Sequence, residues 1–119
     1  MSIPIKPIIL IVALFTSLSA QAQGLLLGFE SNITLKQDDI DLIHQTVDQK
    51  IHGKPVGTTA SWSNPNTGNA GIIKLRKKFT KGNLHCEQVA YTLTTTTKAV
   101  EPEHYVLDSC LTSEGWKIA

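Results

Sequence analysis

The chain has 119 residues, with 11 lysines and arginines against 10 aspartates and glutamates, so its formal net charge is +1 at pH 7. This near-neutral balance gives no global reason to expect binding to nucleic acid or to an anionic membrane. The length is that of one small domain, near the lower limit for a self-sufficient hydrophobic core.

Residues 1–22 have the pattern of an export signal. Lys6 provides a positive N-terminal region, the run Ile8–Leu14 is wholly apolar, and Ala20-Gln21-Ala22 has the small residues of a cleavage site. We expect cleavage before Gln23 and a mature chain of 97 residues with equal numbers of acidic and basic side chains. The apolar run is shorter than the roughly 20 residues that span a bilayer, so the sequence predicts no transmembrane helix in the mature chain.

Residues 23–33 are a short lead-in to the domain. This segment is apolar at Leu25–Leu27 and Phe29, so retention of the signal as an uncleaved anchor stays open as an alternative. A lipidated N-terminus would need a cysteine just after the apolar run, and cysteines occur only at positions 86 and 110. The predicted organisation is therefore a signal peptide at 1–22, a lead-in at 23–33 and one domain at 34–119.

A helix is predicted over about residues 35–51. Thr34 and Gln37 have the spacing of a capping box, and acidic residues that favour the positive end of the helix dipole follow at Asp38, Asp39 and Asp41. The apolar residues recur at helical spacing and form a single stripe: Ile40, Ile43, Val47 and Ile51. Gly53 is suited to the left-handed position that ends a helix.

After residue 56 the pattern changes to a period of two with β-forming residues. It predicts strands at 58–62, 72–79, 84–96, 104–111 and 116–118, joined by turns of which the longest covers 64–71. Sequential strands with short connections form an antiparallel meander. The predicted fold class is therefore α+β: one N-terminal helix packed on an antiparallel meander of four to five strands, with one disulfide.

The alternation within the third and fourth strands predicts which face meets the helix. The residues assigned to the helix side are Val89, Tyr91, Leu93, Tyr105, Leu107 and Leu111. Cys86 and Cys110 have the opposite parity and fall on the other face. Two cysteines in an exported chain indicate a disulfide, which would close a loop of about 24 residues and contribute roughly 3 kcal/mol.

Neither a catalytic group nor a metal site is predicted. His85 is next to Cys86, but adjacent residues of a strand point to opposite faces and cannot form a hydrogen-bonded nucleophile and base. His44 and His52 lie about two helical turns apart, too far to bind one ion together. We therefore expect a non-enzymatic protein without a cofactor.

A basic stripe is predicted on the second strand. Lys74, Arg76 and Lys78 alternate and would point to one face, where they form a candidate contact for an anion or a partner. The alternative is that these side chains protect a sheet edge from pairing. Glu87, on the following strand, is the obvious counter-charge.

The turn before this strand is the densest group of turn-forming residues. Trp62–Gly71 contains two glycines, one proline and three asparagines. Each of these residue types has a structural role in turns: proline fixes φ, glycine provides positive φ, and the asparagine side chain forms hydrogen bonds with its own backbone. A structural hairpin is the favoured interpretation, and a loop that binds a glycan or peptide is the alternative.

Together these features resemble the C-terminal domain of bacterial surface antigens of the rickettsial 17 kDa outer-membrane type. The resemblance covers about residues 34–118 and is carried by Trp62, Asn64, Pro65, Thr67, Gly68, Asn69, Gly71, Cys86, Cys110, Gly115 and Trp116. It implies mainly structural roles for these residues and a location in the envelope, but no molecular activity. Glu87 departs from the family, which often has arginine after the first cysteine.

The expected function is thus an exported, envelope-associated, surface-antigen-like domain with a binding or structural role. Its expected partner is an envelope component, protein or glycolipid, and its expected location is the periplasm or the outer membrane. The alternative function is a secreted inhibitor or host-directed factor, since small disulfide-bonded β-rich domains suit the blocking of an enzyme's cleft.

Overall fold

A computed structural model describes residues 32–119. The predicted signal peptide and the lead-in as far as residue 31 lie outside the described residues. The elements are helix α1 and five strands, with these bounds: α1 Gln37–Lys50, β1 Thr59–Asn64, β2 Asn69–Lys81, β3 Leu84–Thr95, β4 Glu103–Thr112 and β5 Gly115–Ile118.

The five strands form one antiparallel sheet in the order β1-β2-β3-β4-β5, and α1 lies against one of its faces. This arrangement confirms the predicted α+β fold. The predicted turn at 64–71 is shorter than expected, because Asn64 and Asn69 already pair across β1 and β2. Only residues 65–68 form the turn, closed by hydrogen bonds from the Thr67 and Gly68 N–H groups to the Asn64 carbonyl.

Helix α1 begins two residues later than predicted, and its cap differs from the expected one. Lys36 occupies the N-cap position, and its N–H donates to the Asp39 carboxylate at 2.9 Å. The predicted capping box of Thr34 and Gln37 is therefore wrong, because the acidic residue that reaches back is Asp39. At the other end, Gly53 has φ +77°, the left-handed conformation expected there.

The core lies between α1 and the facing side of the sheet. The helix contributes the predicted stripe, and the strands contribute alternating residues; the buried members are Ile40, Ile43, Val47, Ile51, Ile73, Leu75, Val89, Tyr91 and Leu93. Leu111 was assigned to this face but is 41% exposed. Its register, opposite Trp116, keeps it on this face, but it lies near the end of β4, beside a last strand of only four residues.

A β-bulge interrupts β2 after Leu75. Leu75 pairs with Val89, but the next pair joins Lys77 to Gln88, so Arg76 is an extra residue on this strand. A bulge of this kind reverses the alternation of the residues that follow it. Before the bulge the odd-numbered residues of β2 face the helix; after it the even-numbered ones do.

The cysteines form the predicted disulfide. Cys86 and Cys110 are direct partners across β3 and β4, with Cα atoms 4.0 Å apart and a sequence separation of 24. Their even numbers place them on the sheet face away from α1, as the alternation predicted. We call this side the open face.

Candidate functional site

The turn residues of the Trp62–Gly71 segment converge on one buried carboxylate. Asp39, in the first turn of α1, is 0% exposed. Its Oδ1 accepts hydrogen bonds from Asn64 Nδ2 at 2.8 Å and from the Thr67 hydroxyl at 2.7 Å. Its Oδ2 accepts from Asn69 Nδ2 and from the Lys36 N–H, both at 2.9 Å. Four donors thus surround both carboxylate oxygens and join the helix to the β1–β2 turn.

The pKa of Asp39 reflects two opposing effects. Burial favours the neutral acid and by itself raises the pKa. The hydrogen bonds from Lys36, Thr67, Asn69 and Asn64 stabilise the carboxylate and outweigh burial, so the pKa lies below its ordinary value of 3.8. Asp39 is therefore ionised at neutral pH, with its oxygens occupied by internal donors.

The remaining turn residues shape the backbone around this cluster. Gly68 has φ +76°, and a Cβ there would lie 2.5 Å from the Thr96 hydroxyl. A Cβ on Gly71 would lie 2.5 Å from both Trp62 Nε1 and the Thr92 carbonyl oxygen, so the indole occupies the place of the missing side chain. Pro65 is exposed within the turn.

The Trp62 indole is buried in the core. However, Nε1 has no hydrogen-bond partner and is the one such buried side-chain nitrogen or oxygen among residues 32–119.

A second buried carboxylate lies at the opposite end of α1. Glu87 is 3% exposed, with Oε1 2.7 Å from His52 Nδ1 and Oε2 accepting the Gly53 N–H at 2.9 Å. The His52 ring stacks on Trp116, with centroids 4.2 Å apart and an angle of 1° between the rings. Trp116 is only half-buried, and Gly115 before it has φ +105° in the β4–β5 turn.

This second cluster corrects the expectation for Glu87. Its carboxylate is enclosed between the helix C-terminus and β3, so it is not the counter-charge of the exposed cations on β2. Tyr91, nearby in the core, has its pKa raised to about 12, first by burial and then by the negative charges of Asp48 and Glu87. The Tyr91 hydroxyl therefore keeps its proton at neutral pH.

The bulge divides the predicted basic stripe. Lys74 pairs with Ala90 on the open face, whereas Lys78 pairs with Glu87 and belongs to the helix side. Arg76 is the exposed extra residue between them. The prediction that Lys74, Arg76 and Lys78 share one face is therefore wrong. The bulge reverses the alternation of side chains along β2, and the sequence pattern gives no sign of it.

Four lysines nevertheless share the open face by their register. Lys77 pairs with Gln88, Lys81 with Leu84, and Lys117 with Cys110, all on the same side as Lys74. We call Lys74, Lys77, Lys81 and Lys117 the basic patch. None of the four forms an ion pair, since the salt bridges within the described part of the chain involve only His52. The acidic residue of this face, Asp108, accepts a hydrogen bond from Gln88.

The open face also exposes apolar surface. Ile72 is 54% exposed and Val106 is 46% exposed, and the Lys77 ammonium lies 5.6 Å from the centre of the Phe79 ring. A groove of about 350 Å³ runs beside Ile72, where its walls are mostly small residues: Ser61, Ser63, Ala70, Gly71, Thr92 and Thr94. Cationic and apolar groups are thus interspersed over a side of the sheet that no helix or strand of residues 32–119 covers.

Sequence reasoning missed the two buried carboxylates. Asp39 was assigned to the helix dipole, although it lies four residues before Ile43 and eight before Val47, on the buried stripe. That helical spacing was the signal from which the burial of Asp39 could have been predicted. Glu87 also has the odd numbering of Val89 and Tyr91, which placed it on the helix side.

Within residues 32–119, no group of three histidine, cysteine, aspartate or glutamate side chains is arranged to hold a metal ion. The only helix of this part of the chain, α1, is neither long nor apolar enough to cross a membrane.

Comparison of the chain with family models, with curated proteins and with solved structures finds no match. The resemblance to the surface antigens therefore continues to rest on the motif residues of this sequence.

Proposed function

We propose that this chain is an exported, envelope-associated, surface-antigen-like domain that binds an anionic envelope component through the open face of its sheet. The observation that carries the proposal is the basic patch, whose four lysines lack ion pairs and lie on the same face as exposed Ile72 and Val106. Lysines beside aliphatic groups suit an anionic amphiphile, such as a glycolipid with phosphate groups.

The charge distribution supports this choice of surface. The exposed acidic residues of α1, Asp38, Asp41 and Asp48, lie on the helix side of the molecule. A chain with almost no net charge therefore has one cationic face, while the other side of the molecule carries charges of both signs, with lysines such as Lys50 and Lys78 among the carboxylates. Local fields of this kind attract charged partners even when the total charge is small.

A non-enzymatic role is supported by the state of the buried polar groups. Asp39 is surrounded by four donors, and Glu87 is held by His52 and Gly53. Carboxylates whose oxygens are occupied in this way act as structural anchors. The disulfide is compatible with an exported protein, because such bonds persist in oxidising compartments.

Localisation is the first test. The full chain with a C-terminal tag, expressed in a Gram-negative host, should appear in the periplasmic or outer-membrane fraction with its signal removed. Accumulation in the culture supernatant would instead favour the secreted inhibitor or host-directed factor.

Binding is the second test, and the bulge provides a matched control. The triple change Lys74→Gln, Lys77→Gln and Lys117→Gln removes three charges from the open face. Lys50→Gln, Lys54→Gln and Lys78→Gln removes three exposed charges elsewhere. Only the first set should abolish sedimentation with anionic glycolipid vesicles.

Binding should also weaken between 0.1 M and 1 M salt, as the Debye length falls from about 10 Å to about 3 Å. Equal binding by both triple variants would exclude the open face as the contact. If only protein-containing envelope extract is bound, the component is an acidic protein instead of a glycolipid.

A further inference from the structure

The outer edge of β4 is only partly covered. Strand β5 has four residues and pairs with Ser109–Thr112, and the Ala119 N–H adds one hydrogen bond to the Asp108 carbonyl at 2.9 Å. No strand among residues 32–119 pairs with this edge before Asp108. At the opposite edge of the sheet, α1 lies against β1.

The register fixes which backbone groups this edge presents. The Asp108 carbonyl points toward β5, away from β3. Backbone groups of alternate residues in a strand point the same way, so the N–H and C=O of Val106 and His104 also point outward. The uncovered edge thus offers two donors and two acceptors in alternation.

These four groups match an extended chain. An edge strand with open N–H and C=O groups is a template for pairing with another strand, and proteins usually block such edges with lysine, proline or a bulge. Positions 103–107 contain neither lysine nor proline, and the pairing of β3 with β4 is regular throughout. Proline occurs only at the limit of the segment, at position 102.

A second copy of β4 fits this edge in one register. In an antiparallel pair that places His104 opposite Val106 of the other copy, all four groups of each strand are used. In this register the two strands are centred on residue 105 of each copy. Moving the centre to residue 104 would place Val106 opposite Pro102 of the other copy, which has no N–H. Shifting the centre to residue 106 pairs His104 with Asp108, whose carbonyl already accepts from Ala119, whereas in the retained register only Pro102, which precedes β4, stands opposite Asp108.

We propose that two copies of this chain associate through the outer edges of β4, with His104 of each copy opposite Val106 of the other. The contact is two-fold symmetric and closed, as in most soluble homodimers. It joins two five-stranded sheets into one of ten strands, with both helices on one side and both open faces on the other. This inference does not depend on the proposed binding function, although it would place two basic patches on one surface.

Proline substitution tests the edge directly. Val106→Pro and His104→Pro each remove an outward N–H, a change that edge strands tolerate without loss of internal pairing. Val106→Thr is the matched control, because it keeps both the backbone N–H and a β-branched side chain. Sedimentation velocity of the oxidised full chain over a dilution series measures the mass, and circular dichroism checks the fold.

Wild type and Val106→Thr should sediment with twice the monomer mass at high concentration. Each proline variant removes two intermolecular hydrogen bonds from the symmetric pair, so the dissociation constant should rise by about tenfold or more. Hydrogen exchange of wild type gives an independent measure, in which the His104 and Val106 N–H groups become protected as concentration rises.

A wild-type protein that stays monomeric at its highest soluble concentration would refute the proposal, leaving the edge open to a foreign strand. So would folded proline variants that dimerise as wild type does, or exchange at His104 and Val106 that does not change with concentration.

Discussion

At the scale of single residues, Asp39 is the common hydrogen-bond acceptor for three side chains of the Trp62–Gly71 segment. Asn64, Thr67 and Asn69 are turn-forming residues, and the sequence predicted structural roles for them on that ground. Their common acceptor was not predicted, because Asp39 lies 25, 28 and 30 residues earlier in the chain. Local propensity identifies a turn; only the packed structure shows that the turn and the helix share one carboxylate.

The first prediction is that Asp39→Asn strongly destabilises the fold. An amide has the same shape, but its NH₂ group would face donors that now bond to a carboxylate oxygen. Leaving buried donors without an acceptor should lower the free energy of unfolding by about 2–4 kcal/mol. Asp38→Asn, an exposed change in the same helical turn, is the control and should cost less than about 1 kcal/mol. Urea unfolding measures both, and equal midpoints for the two variants would contradict the structural role of Asp39.

The second prediction concerns acid. Because the pKa of Asp39 is lowered in the folded state, the unfolded chain binds its proton more readily. Its contribution to stability is therefore present above the ordinary pKa of 3.8 and is lost as pH falls below that value. Unfolding midpoints of wild type should fall steeply between about pH 5 and pH 2, and Asp39→Asn should show a shallower dependence. Parallel pH profiles would show that other groups dominate acid unfolding.

At the scale of elements, periodicity predicted one helix and five strands in the right order. The helical stripe Ile40–Ile51 and the period-two alternation Val89–Leu93 made this prediction possible, because the helix and the sheet each bury apolar residues on one face. The bulge after Leu75 could not be predicted in the same way. Residues 76–78 are all exposed cations, so a change of phase among them leaves no mark in the hydrophobic pattern.

The third prediction tests how β1 and β2 pack. Gly71→Ala places a methyl group 2.5 Å from Trp62 Nε1 and from the Thr92 carbonyl, so either the indole or the strand must move. Overpacking of this kind should cost about 1–3 kcal/mol. Gly82→Asn is the control, since its Cβ meets nothing within 4 Å and asparagine tolerates positive φ. Thermal melts that rank the two variants equally would mean that the Trp62 contact adapts easily.

At the scale of the whole molecule, the net charge did not indicate the cluster of lysines on the open face. A formal net charge of +1 gives no sign of a charged surface, yet the sheet register gathers four lysines on the open face. Counting residues cannot reveal such a cluster, because it depends on pairing between β2 and its neighbours. The candidate contact surface was thus predicted in part: the second strand was the right element and Lys74 belongs to the surface, but Lys78 does not, and Lys117 of the last strand was not predicted.

The last prediction concerns the global stability of this small domain. The Cys86–Cys110 bond joins β3 to β4 and closes a loop of 24 residues, which restricts the unfolded chain and should contribute roughly 3 kcal/mol. For a domain of this size, that difference corresponds to a fall in melting temperature of about 12–24 °C. Wild type treated with a reductant keeps both sulfur atoms, so it measures the cross-link alone. The double change Cys86→Ala and Cys110→Ala also empties a buried site, since both cysteines are nearly fully enclosed, and should melt lower still. A reduced protein that melts within a degree or two of the oxidised one would show that the sheet holds its register without the disulfide.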